Sequence, residues 1–207
     1  TIPNAELNNV IITHSSRVNL YGGYANITGQ NIALGPSGVY GFYALGGNYL
    51  FEHCTINNTW NFSSRSGSSI GLVNFFDDIN NNRYTRSIQA IFRNSYIGGN
   101  LASEVALGID PSETFNVSFE HSALKIEPNP EAGHYSLTDT VMFKNNEYNM
   151  NWGFLSSPWI PQEEWKFIPD SASTLFGKAI PTPFTPAFDL GGTVRQQPAT
   201  IGALERP

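Results

Sequence analysis

One cysteine, two methionines and few charges of either sign are spread over 207 residues. The lone thiol, Cys54, excludes an internal disulfide framework and a cysteine-built metal site. Charged residues make up 14% of the chain and the formal net charge is −6. No basic stripe therefore exists to neutralise phosphates, and nucleic acid is excluded as a partner. No apolar run approaches the ~20 residues that a membrane-spanning helix needs. The opening Thr1-Ile2-Pro3-Asn4 leads almost at once into patterned sequence and is not read as a signal peptide.

What is plentiful is glycine, 19 residues, proline, 13, and aromatics at 13%, the balance of a turn-rich all-β chain. The length fits one domain, or one piece of a longer solenoid, with ample material for a continuous core. The stretch Phe51-Glu52-His53-Cys54-Thr55-Ile56 sets two large apolar anchors around a polar residue. The same pattern recurs at Phe92-Arg93-Asn94-Ser95 and Phe119-Glu120-His121-Ser122, with weaker copies around Asn9, Asn31 and Asn74. The polar position falls at Asn9, Asn31, His53, Asn74, Asn94 and His121, at steps of 22, 22, 21, 20 and 27, and a last copy follows at Asn145. Val18-x-Leu20 and Tyr40-x-Phe42 form a second apolar pair, again 22 apart.

An interval near 21 residues is too short for a strand–helix–strand crossover, so each coil must consist of short strands and turns. Like residues then stack along an axis about 4.8 Å apart, which gives seven coils a length of roughly 30 Å. Stacked Asn side chains satisfy one another, and a neutral His ring, with one donor and one acceptor, fits the same row. His53 and His121, three coils apart on this count, are some 14 Å from each other and cannot share a metal. Cys54 faces inward beside Val10, Ile32, Ser95 and Ser122, as an inert core thiol.

Gly46-Gly47-Asn48-Tyr49-Leu50-Phe51-Glu52-His53-Cys54-Thr55-Ile56, followed by Asn61-Phe62-Ser63-Ser64-Arg65, resembles the right-handed parallel β-helix proteins of the pectate-lyase-like superfamily, in particular those of Bacteroidetes. The C-terminal Phe188-Asp189-Leu190-Gly191-Gly192-Thr193-Val194-Arg195 with Ile201-Gly202-Ala203-Leu204-Glu205 is similar to a closing motif of such proteins. The resemblance covers nearly the whole chain. It implies a right-handed parallel β-helix of about 6–7 coils, over residues 1–126, with a degenerate last coil and irregular capping segment over 127–207. It implies an exported bacterial protein, secreted, periplasmic or at the outer cell surface, and no settled activity. A capping element shields the first coil of such a solenoid. None is visible before Ala5, so the chain is expected to be the C-terminal part of a longer protein with further N-terminal coils.

Polar corner loops are predicted at 57–62 and 77–84, with an insertion between Gly98 and Asn116 that contains Glu104, Asp110 and Glu113. After Leu124 the proline-rich remainder predicts an irregular wrap over the last coil, with a short helix at 139–145 as an option. Asp189, Arg195 and Glu205 read as a structural latch.

Beside the histidine pair, three constellations bear on function. Asp77, Asp78 and Asn80 concentrate the oxygens that Ca²⁺ prefers, though the same composition suits a solvated turn. The resemblance implies that a polysaccharide lyase of this fold would use Ca²⁺ to neutralise a uronate and Arg83 or Arg86 as base. Asp77 or Asp78 with Asp110 is the pair that a glycoside hydrolase would need. Trp60, Phe62 and Tyr84 offer flat apolar rings suited to stacking on sugars. Trp152, Trp159 and Trp165 are expected to plug the open end of the solenoid. The reading is an extracellular or cell-surface β-helix module with a glycan-binding or scaffold role, without a complete catalytic set and without a cofactor. The alternative is a lyase or hydrolase with its site near Asp77–Arg86 and Asp110, with Ca²⁺ if a lyase.

Overall fold

The computed structural model describes residues 2–128, 135–154 and 167–205. Every element in them is a strand: β1 (Asn4–Ile12), β2 (Val18–Leu34), β3 (Tyr40–Glu52), β4 (Thr55–Asn58), β5 (Ile70–Val73), β6 (Phe75–Asp77), β7 (Arg83–Thr85), β8 (Ile88–Arg93), β9 (Tyr96–Gly99), β10 (Val105–Gly108), β11 (Phe115–Glu120), β12 (Ala123–Leu124), β13 (Phe143–Lys144) and β14 (Glu147–Tyr148). The helix considered at 139–145 is absent. Twelve strands join in one parallel sheet, and β6 and β7 form a separate antiparallel hairpin.

The sheet curls because its long strands bend and contribute to successive strand columns. The first column stacks the opening of β2 and β3 with β5 and β10. The second stacks β1, the later part of β2, the later part of β3, β8, β11 and β13. The third stacks the end of β1, the end of β2, β4, β9, β12 and β14. Like residues meet at each rung, as the repeat requires. Phe51, Phe92, Phe119 and Phe143 stack ring on ring, with centroids 5.2, 5.4 and 5.5 Å apart in turn. With Ile32, Leu34, Phe42, Ile56, Leu72 and Ile97 they make a continuous interior. Cys54 is fully buried in it, its backbone N–H donating to Ser95 Oγ.

The bend between the second and third columns explains the polar row. Asn9, Asn31, His53, Asn94, His121 and Asn145 all have φ between 48° and 56°. That left-handed conformation is one that Asn and His adopt at low cost among non-glycine residues. Backbone geometry thus selects the residue type first, and side-chain bonding follows. Asn31 Nδ2 donates to Asn9 Oδ1 at 3.0 Å, and Asn94 Nδ2 faces His53 Nε2 at 3.3 Å.

Asn74 is not a member of this row. β3 pairs directly with β8, Phe51 against Phe92, while Leu72 pairs with Ala44 and Leu107 in the first column. The turn of chain from Phe51 to Phe92 carries two insertions, residues 59–68 and the hairpin β6–β7. Its 41 residues are nearly twice the basic interval, which imitates an extra coil in the sequence. His53 and His121 are accordingly two rungs apart, with Asn94 between them, or about 10 Å.

Residues 167–205 follow the flank of the stack along the polar row. Asn94 exchanges two hydrogen bonds with the backbone of Ile180, Thr182 donates to Glu52, and Asn31 Nδ2 donates to Phe188 O. A second apolar cluster, Tyr96, Ala123, Trp152, Leu175, Ala179, Ala199 and Ile201, fills the space outside the third column. Trp152 packs edge-on against Tyr96, so it seals this flank; Trp159 and Trp165 lie outside the described residues. Asp189, Arg195 and Glu205 do latch together: Arg195 Nη1 lies 2.9 Å from Glu205 Oε1, and Glu205 N–H donates to Asp189 Oδ2.

Candidate functional site

Both insertions adjoin the first column, because residues 59–68 enter it at Ile70 and the hairpin leaves it after Val73. On the entry side, Trp60 and Phe62 lie with ring centroids 4.9 Å apart, and Phe62 is 68% exposed. Arg65 anchors this segment. Its guanidinium is buried against Glu104, with Nη1 2.9 Å from Oε2, and it also donates to Gly67 O and Asn100 Oδ1. Asn100 Nδ2 in turn donates to Trp60 O. Glu104, which the sequence places in an insertion between Gly98 and Asn116, is fully buried and structural.

On the exit side, Asp77 and Arg83 pair across the hairpin, Nε to Oδ1 at 2.8 Å and Nη2 to Oδ2 at 2.9 Å. Arg83 Nη1 also reaches Asp110 Oδ2 at 3.2 Å, and its guanidinium sits 4.2 Å from the Phe75 ring centroid. The structure therefore brings Asp77, Arg83 and Asp110 together. Asp78 faces the loop: Oδ1 accepts from the N–H groups of Asn80 and Asn82, and Oδ2 from Asn82 Nδ2. Arg86 points elsewhere, over the ring of Tyr24 at 5.5 Å. Tyr84 stacks on Phe76 with centroids 5.1 Å apart, and both rings are exposed.

The electrostatics of this wall are those of a satisfied ion cluster. The bond to Arg83 holds the Asp77 carboxyl below the usual carboxylate range, bonds to Asn82 do the same for Asp78, and bonds to Ser112 for Asp110. Arg83 is held more firmly protonated by its bonds to Asp77 and Asp110. A general acid needs the opposite shift, and a guanidinium so held is a poor base. A calcium ion at Asp77, Asp78 and Asn80 would have to displace Arg83 and the loop N–H groups from the oxygens it needs. Among the described residues, no group of three or more His, Cys, Asp or Glu side chains is arranged to hold a metal.

The first column also carries a feature of which the apolar pattern named only Val18 and Tyr40. Tyr21 and Tyr43 are register partners on the outer face, their rings 6.0 Å apart and nearly parallel, and Tyr40 leans on Tyr43 at 4.9 Å. With Arg17, Val18 and Val39 they line a concavity of about 630 Å³. The next rung has Gly71 at the position of Tyr43. A Cβ there would come within 2.9 Å of both Tyr40 and Tyr43, so the missing side chain is what seats the two rings. Tyr21 and Tyr43 stand 22 residues apart, the repeat interval, and that recurrence of an outward aromatic was the available signal.

Comparison with known proteins finds no match among family models, curated proteins or solved structures.

Proposed function

We propose that the chain is a right-handed parallel β-helix module of about six coils, from an exported or cell-surface protein, which binds glycans along the outer face of its first strand column. One observation carries the reading: outward tyrosines, Tyr21, Tyr40 and Tyr43, line a concavity of about 630 Å³ on the first column, the column that the segment bearing Trp60 and Phe62 enters and the hairpin bearing Phe76 and Tyr84 leaves. Aromatic faces with polar edges suit the alternating apolar faces and hydroxyl rims of sugars, and stacked strands hold them at a fixed spacing. Affinity electrophoresis of the protein through gels containing acidic or neutral polysaccharides tests it. Retardation by at least one polymer is expected, and Trp60→Ala or Tyr43→Ala should weaken it severalfold. Unchanged mobility across the panel would remove the reading.

A second reading, a polysaccharide lyase or glycoside hydrolase around Asp77–Arg86 and Asp110, draws on Arg83 contacting both Asp77 and Asp110. The same polymers, with and without Ca²⁺, distinguish it. New ultraviolet absorbance from unsaturated uronate ends, or released reducing ends, abolished by Arg83→Ala or Asp78→Ala, would establish catalysis in place of binding alone.

A further inference from the structure

The tyrosine floor is not electrically neutral, because Arg17 stands at its rim. Among the described arginines, Arg65, Arg83, Arg93 and Arg195 are each paired with a carboxylate. Arg86 lies over Tyr24. Arg17 is exposed and makes no ion pair among the described residues. In a chain of formal charge −6 this leaves an uncommitted cation beside three phenol rings. No Asp or Glu lines the concavity. Burial and the neighbouring rings of Tyr40 and Tyr21 push the Tyr43 phenol up, so it remains an O–H donor at neutral pH.

We infer that Arg17, Tyr21, Tyr40 and Tyr43 form a subsite for a negatively charged sugar residue, its ring against the tyrosines and its carboxylate or sulfate at the Arg17 guanidinium. This rests on the glycan-binding reading and adds the charge of the ligand. The fork of Arg17 donors matches the paired oxygens of either anion, and a planar guanidinium delivers two hydrogen bonds where an ammonium delivers a point charge. The seating of Tyr40 and Tyr43 over Gly71 and Gly67 means the rings are already placed before a ligand arrives, which reduces the ordering cost of binding. Tyr21, 57% exposed, is the ring most open to a ligand.

The test is calorimetric titration of the whole chain with three probes: an oligogalacturonate, a sulfated dextran of similar length and unmodified dextran. At least one anionic probe is expected to bind tenfold or more tightly than dextran. Arg17→Ala should remove that preference, and Tyr21→Ala should weaken binding of the preferred probe severalfold. The two anionic arms show whether carboxylate or sulfate is the preferred group. Both side chains are exposed, so unchanged melting of each variant separates loss of binding from loss of fold. Should Arg17→Ala retain the anionic preference, or dextran bind as well as the charged probes, the inference is overturned while the glycan-binding module stands. Should none of the probes bind, this inference is overturned, and the wider electrophoresis panel decides the parent reading separately.

Discussion

Arg195 Nη2 donates to Asn31 Oδ1 at 2.6 Å, joining the C-terminal segment to the second rung of the polar row across 164 positions of sequence. The same guanidinium pairs with Glu205, and both side chains are almost completely buried. Glu205 also accepts from Thr200 N–H and Thr200 Oγ1. Removal of one partner from such a pair leaves a charge without compensation in a dry site, which costs about 3–5 kcal/mol. Arg195→Ala is therefore expected to lower the urea midpoint strongly. Arg195→Met combined with Glu205→Leu should recover much of the loss; a pair of variants equally unstable would show that the hydrogen bonds of Arg195 to Asn31, Gly202 and Ala203, and not the charges, hold the strap.

The two walls of the candidate site differ in what their ion pairs do for stability. Arg65→Ala strands Glu104 at a fully buried position and should destabilise the fold by about 3–5 kcal/mol. Arg83→Ala removes an exposed guanidinium from Asp77 and Asp110, and solvent screening predicts an almost unchanged melting curve. Parallel thermal denaturation of the two variants checks this contrast. Equal losses would mean that the hairpin is integral to the stack.

His53 imposes a pH dependence whose sign follows from its environment. Burial, reinforced by the nearby Arg195 charge, pushes its pKa down to about 3 from the ordinary 6.5. As pH falls, the unfolded chain takes up this proton before the folded one does. The contribution to stability is complete above about 6.5 and is lost progressively towards pH 3, on the order of a few kcal/mol. His53→Asn keeps a residue suited to the left-handed φ and should flatten that slope in denaturant titrations between pH 7 and 4. An identical slope in the variant would assign the acid sensitivity to other groups.

Phe92 lies in the middle of the ring stack, between Phe51 and Phe119, and is fully buried. Phe92→Ala is expected to cost about 3–5 kcal/mol through lost burial and the cavity it leaves. Phe143, at the end of the stack, has one stacked ring neighbour, so Phe143→Ala should cost less. Chemical denaturation of both variants measures the difference, and a reversed order would contradict the stacked interior.

Much of this architecture is readable in the chain because it is local and periodic. The anchors at Phe51, Phe92 and Phe119 recur with the polar residue two places on, and each Asn or His of that row marks a bend that few other residue types tolerate. The error at Asn74 has an equally plain cause. Both the first and second columns alternate outward and inward residues, so Leu72 satisfies either pattern, and two insertions together happen to fill one repeat interval. In the candidate site, the aromatic loops could be named from sequence, but not the partnership of Arg83 with Asp110 or of Arg65 with Glu104, because nothing in the spacing of charged residues says which loops share a wall.

Sequence alone determined that the chain stacks like on like in parallel strands, since a twenty-odd-residue interval of apolar anchors has few other ways to bury itself. Tertiary structure decided which column each strand enters, which carboxylate each arginine neutralises, and that Tyr21, Tyr40, Tyr43 and Arg17 converge on one face. Backbone conformation is set by neighbours in the chain, whereas charge pairing and surface shape depend on residues 22, 39 or 164 positions apart.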